Sequence, residues 1–120
     1  MKILVVEDNL QLRNMLIKTL GRLGYQVHDA SNGLIAQRLL ARGERFDLVL
    51  SDVIMPGLGG IELMLWIQQH SPDQRFLLMS GHTGNATDAM NMEKWSAILL
   101  RKPFTAELLA QKVYGMLNPS

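Results

Sequence analysis

Lys2-Ile3-Leu4-Val5-Val6-Glu7-Asp8 decides the reading of this chain, because an unbroken apolar run of strand length stops abruptly on two acids. The pattern recurs. Leu48-Val49-Leu50-Ser51 stops on Asp52, and Ile98-Leu99-Leu100-Arg101 stops on Lys102. Unbroken runs, as opposed to alternating ones, suit strands buried on both faces. Such runs near residues 2 to 6, 46 to 51, 75 to 80 and 97 to 101, with a weaker one at 25 to 29, predict five strands.

Helical spacing fills the gaps. Leu12, Leu16, Leu20 and Leu23 predict a helix over 10 to 23, with Gly24 as its C-terminal stop. Residues 33 to 42, 60 to 69 and 106 to 117 repeat the pattern, the last opened by Thr105 as N-cap. The weakest pattern, Ala86, Ala89 and Met90 within 85 to 94, predicts a short or mobile fourth helix. Five strands alternating with five helices predict one α/β domain over 1–120, doubly wound around a parallel sheet, since parallel strands need helical crossovers. The common order for five strands, 2-1-3-4-5, sets the first and third side by side at the topological switch point. Helices on both faces then make three αβα layers.

That topology gathers Glu7, Asp8 and Asp52 at one sheet end, with Lys102 nearby. Three carboxylates in one pocket repel one another, and a hard divalent cation with oxygen ligands relieves the repulsion. The lysine then offers a second positive charge to a phosphoryl or other anionic group. Acids at strand ends are more often helix caps or solvated loop residues. Finding all three where the fold brings them together, with Lys102 and Ser80 on neighbouring strands, reverses that preference. Asp8 also suits the N-terminal end of the first helix, where Asn9 could cap instead.

Bulk composition narrows the classes. At 120 residues and 48% hydrophobic, the chain has one domain's length and enough apolar residues for a core. Twelve basic against 11 acidic residues make no basic field of the kind nucleic acid requires. No apolar stretch reaches the roughly 20 residues of a membrane span. The absence of cysteine excludes disulfides and Cys-ligated zinc and suits the cytoplasm. The eight methionines, Trp66 and Trp95 suit packing roles, and His28 and His70 lack partners at ligand spacing. Gly57, Gly59 and Gly60 fit a turn leading from Asp52 into the third helix.

The ordered motifs Val-Val-Glu7-Asp8-Asn, Ser-Asp52-Val-Ile-Met-Pro56-Gly, Met79-Ser80-Gly81 and Lys102-Pro103-Phe104 resemble the receiver domain of bacterial response regulators. The likeness is to the CheY type of two-component signalling, with its flavodoxin-like topology, and covers residues 2 to 117. The resemblance implies that Asp52 is the phosphoacceptor, that Asp8, Asp52 and the backbone carbonyl of Ile54 bind Mg²⁺, and that Glu7 acts through a metal-bound water. It implies contacts from Ser80 and Lys102 to the phosphoryl oxygens, and a cis bond at Lys102-Pro103. Its implied partners are a histidine kinase or phosphotransfer protein upstream. Downstream, a partner or attached module would read the face of the fourth helix, fifth strand and fifth helix; a homodimer stays open.

The chain departs from the family pattern at Leu99, where Tyr or Phe is usual, which removes an aromatic rotamer switch. Either the fifth strand and fourth helix shift as a body, or a partner senses the loop at 81 to 84. The ending Leu-Arg-Lys-Pro-Phe also resembles receivers of hybrid histidine kinases. Ile54 and His82, two residues beyond Asp52 and Ser80, flank the expected path of attacking water. An apolar Ile54 would slow hydrolysis of a phosphoryl group, and an inward His82 could speed it. Three other classes compete. A flavodoxin-like electron carrier wants a hydroxyl- and glycine-rich loop after the first strand, where this chain has Glu7-Asp8-Asn9. An aspartyl-phosphate phosphatase wants an acid at Ile54. A degenerate receiver would have lost the acids or Lys102.

Overall fold

Lys2–Val6, Gln26–Ala30, Leu48–Asp52, Phe76–Ser80 and Leu99–Arg101 form strands β1 to β5 of a single parallel sheet in the order β2-β1-β3-β4-β5. The computed structural model describes residues 1–81 and 95–119. Helices α1 (Leu10–Arg22), α2 (Gly33–Ala41), α3 (Gly60–His70) and α4 (Ala106–Leu117) connect and flank the strands. The expected helix at 85 to 94 and the loop at 82 to 84 lie outside the described residues. Among the described residues no helix is long and apolar enough to cross a membrane.

The strands divide two cores by the alternation of their side chains. Leu4, Val6, Val49 and Leu78 meet Ala36 of α2 and Leu63, Met64 and Ile67 of α3 on one face. Ile3, Val5, Leu48, Leu50, Leu77 and Met79 meet Leu16 and Leu20 of α1 and Leu109, Val113 and Leu117 of α4 on the other. The expected three layers are present. Residues of β1, β3 and β4 are buried on both faces, which is why their sequences run apolar without alternation.

Caps fix the helix starts. The side-chain oxygens of Asn9, Asn32 and Thr105 accept from the amides of Leu12, Ile35 and Leu108, each satisfying an N-terminal donor. Asn9, not Asp8, is thus the cap of α1. Gly24, at φ +95°, turns the chain beyond the end of that helix.

β3 and β5 each begin two residues later than the apolar runs suggest. The chain joins β3 only at Leu48, because Asp47 instead closes on Lys2: its amide donates to the Lys2 carbonyl at 2.7 Å, and its carboxylate accepts from the Lys2 amide at 2.6 Å. Phe46 still packs into the core. Residues Ser96–Ile98 form a 3₁₀ turn, closed by Ile98 N–H on Trp95 O, so β5 starts at Leu99.

Candidate functional site

Strand register assembles the site. Val6 lies level with Ser51, so Glu7 and Asp52 each follow one step beyond on adjacent strands. On the other side Ser80 pairs with Arg101, which places Lys102 one step beyond. The amide of Lys102 donates to the Ser80 carbonyl at 2.7 Å and the Val53 amide to the Met79 carbonyl at 2.9 Å, extending the ladder past the strand ends. Lys102–Pro103 is cis, as the motif implies.

Glu7, Asp8 and Asp52 each bring one carboxylate oxygen to within 4.8 Å of the others. Glu7 is 1% exposed and Asp52 7%, whereas Asp8 faces solvent. Lys102 Nζ donates to Asp52 Oδ2 at 2.7 Å and lies 3.8 Å from Glu7 Oε2. The other oxygen of Asp52 accepts from the Ile54 amide at 3.3 Å, and Glu7 Oε1 accepts from the Asn9 amide at 3.2 Å. Glu7 Oε2 is buried and makes no hydrogen bond.

Those surroundings push the Glu7 carboxyl up from 4.5 to about 7. Burial is the main cause and the neighbouring Asp52 the next, while Lys102 and the Asn9 amide pull partly back. One lysine therefore does not neutralise this cluster.

The donor set fits Mg²⁺. The three side chains that converge here offer hard carboxylate oxygens, and a buried one makes no hydrogen bond. Ile54, two residues beyond Asp52, is 65% exposed.

Ser80 and Leu99 flank the site on β4 and β5. The buried Ser80 hydroxyl donates to the Gly81 carbonyl at 3.1 Å, not to the acids. Leu99 is buried in the core on the α2 and α3 side. His82 lies outside the described residues.

Gly60 has a different role from a turn residue. It is the buried first residue of α3, and a Cβ there would collide with the Asp52 carbonyl. Its amide donates to Val53 O at 2.9 Å. The N-terminus of α3 thus presses directly on the backbone that carries Asp52. Only the absence of a side chain allows this approach. Gly57, at φ +78°, remains a true turn position.

Arg13 is a residue that sequence reasoning passed over. Its Nη1 donates to the Glu7 carbonyl at 2.8 Å, and its Nε lies 3.1 Å from Asp29 Oδ2. Six residues separate Arg13 from Glu7, and no local pattern announces a side-chain bond to a strand-end carbonyl.

Residues 3–114 match the family model of the response regulator receiver domain. The response regulator receiver protein CpdR of Brucella abortus is 33% identical over 116 residues, which span 97% of this chain and 96% of CpdR. The DNA-binding transcriptional regulator NtrC of Azospirillum brasilense is 34% identical over 97% of this chain, but the chain spans only 24% of NtrC. The chain likewise spans 12% of the sensor kinase CckA of Brucella abortus, at 34% identity. Among solved structures, the response regulator TrrA of Thermotoga maritima in complex with Mg²⁺-BeF superposes with a TM-score of 0.82 at 30% identity, covering 97% of this chain and 98% of TrrA.

Proposed function

The chain belongs to the response regulator receiver domain family, and from that premise we propose that it accepts a phosphoryl group on Asp52 from a phospho-histidine and signals through the resulting change. The observation that carries the reading is the convergence of Glu7, Asp8 and Asp52 with the Lys102 ammonium already hydrogen-bonded to Asp52. Asp8, Asp52 and the Ile54 carbonyl would hold Mg²⁺, with Glu7 reaching it through water. Bound there, the ion supplies Lewis acidity and neutralises negative charge.

Each protein group then has a defined task. An Asp52 carboxylate oxygen forms the new bond to phosphorus as the donor's P–N bond breaks. The departing imidazole nitrogen keeps that bond's electron pair and takes a proton from solvent. Charge on the transferring phosphoryl oxygens demands fixed cations and donors more than covalent help. Lys102 exchanges its carboxylate partner for a phosphoryl oxygen. Ser80 turns its hydroxyl from Gly81 O to another. The Ile54 amide keeps the carboxylate oriented by its bond to Oδ1.

The product carries about −1.5 to −2 charge by analogy with other phospho-residues. That charge draws Ser80 and Lys102 together at the ends of β4 and β5. With Leu99 buried and no ring to swing, β5 shifts with its neighbours, and a partner or attached module reads the face that includes β5 and α4. The phosphodonor is a histidine kinase or histidine phosphotransfer protein, and the reading places the chain in the cytoplasm beside it. TrrA, solved with Mg²⁺-BeF, supports the same pairing of metal and phosphoryl-like group at this chain's acids. Incubation with acetyl phosphate and Mg²⁺ followed by intact mass tests the reading. A phosphate-sized gain in the wild type that is absent in Asp52→Asn is expected; no gain in the wild type, or an equal gain in the variant, contradicts it.

A further inference from the structure

We infer that Arg13 is a positioning residue for the Glu7-Asp8 turn, an assignment that rests on the reading of those acids as part of a Mg²⁺ site. Arg13 lies one turn into α1 with its side chain only 14% exposed. Nη1 grips the Glu7 carbonyl at 2.8 Å from one side, and the Glu7 amide donates to Ala30 O at 3.1 Å. The two peptides that flank Glu7, the second of them leading to Asp8, are thereby held by the end of β2 and by α1. The planar guanidinium holds its donors in a rigid fork, so Nη1 can be aimed at the carbonyl with little further loss of freedom.

The Asp29 contact has a different character. Nε is buried without an aligned hydrogen bond, so the 3.1 Å approach to Asp29 Oδ2 is Coulombic. Asp29 is 49% exposed, and such a pair contributes little through solvent. What remains is geometry. Fixing the Glu7 peptide fixes where its buried carboxylate and the following Asp8 stand, just as groups behind metal ligands orient them elsewhere.

Two variants separate positioning from simple ion pairing. Arg13→Ala removes the grip on Glu7, whereas Asp29→Asn removes only the charge pair. Amide hydrogen exchange at Asn9 reports on the Glu7 carboxylate without metal, because that amide donates to Glu7 Oε1. Arg13→Ala is expected to speed Asn9 exchange about tenfold and to weaken Mg²⁺ binding by about tenfold, with Asp29→Asn within about twofold of wild type on both. If Arg13→Ala does not fold, Arg13→Lys, which keeps the charge but not the fork, should show a smaller loss of the same sign on both readouts.

Wild-type exchange and affinity in Arg13→Ala, or in Arg13→Lys where that variant stands in, would overturn the assignment, as would equal losses in Asp29→Asn. Failure of the wild type to bind Mg²⁺ would instead remove the metal reading, and exchange at Asn9 would still decide whether Arg13 holds Glu7.

Discussion

Lys102 Nζ stands 2.7 Å from Asp52 Oδ2, and the same ammonium lies 3.8 Å from Glu7 Oε2. One cation thus serves two buried carboxylates in the metal-free protein and occupies the charge environment that a divalent ion would share. Lys102→Ala should destabilise the metal-free protein by about 1–3 kcal/mol, since it strips a charged hydrogen bond from a buried acid. The same change should tighten Mg²⁺ binding by on the order of 1 kcal/mol, roughly fivefold, because a competing positive charge is gone. Urea unfolding in EDTA and a Mg²⁺ titration measure the two effects. Their opposite signs are the signature.

The raised Glu7 pKa makes stability depend on pH. With 4.5 as the unfolded value and about 7 as the folded one, the native state holds the proton more tightly than the unfolded chain. That preference contributes stability that is complete below pH 4.5 and is lost as pH rises towards about 7. Urea midpoints in EDTA should therefore decline across this window. Glu7→Gln should flatten the decline. Saturating Mg²⁺ should restore stability at the alkaline end, by about 2.7 kcal/mol at a hundredfold excess over the dissociation constant.

Gly60 gives a purely steric test. A methyl group there meets the Asp52 carbonyl, which also accepts from the Ser51 hydroxyl at 3.0 Å, so neither side yields freely. Gly60→Ala should cost about 1–3 kcal/mol. Gly115→Ala, in α4 with open space around it, should instead gain about 0.5–1 kcal/mol. Chemical denaturation of both variants checks the contrast.

Ile54 tests the lifetime of the modified state. Its exposed apolar side chain sits two residues beyond the acceptor and offers no hydrogen bond to water. Ile54→Asn supplies one and should speed loss of the phosphoryl group several-fold. Phosphate release followed over time in the wild type and the variant decides it, and equal rates would exclude Ile54 from this role.

The apolar runs that stop on Glu7, Asp52 and Lys102 carried the topology and the site, because strands buried on both faces cannot place a charge anywhere but at their ends. Helix starts were legible wherever a side chain caps its own turn, as Thr105 does. Features made by contacts distant in sequence or by backbone proximity were not. Asp47 closing on Lys2 moves the start of β3, Arg13 reaches back to Glu7, and Gly60 abuts Asp52 across a turn. The acidity of Glu7 likewise depends on burial, which its flanking residues do not reveal. Asn9 and Asp8 were both plausible caps from their positions, and only geometry chose between them.

The central claim is that Asp52, within an acid nest suited to Mg²⁺, takes up an activated phosphoryl group. The most direct measurement treats the protein with acetyl phosphate, with and without Mg²⁺, then traps any acyl phosphate with borohydride and maps the peptides. The account predicts reduction of residue 52 to homoserine only in the Mg²⁺ sample. Modification at a different residue, or equal modification at 52 without Mg²⁺, would contradict it.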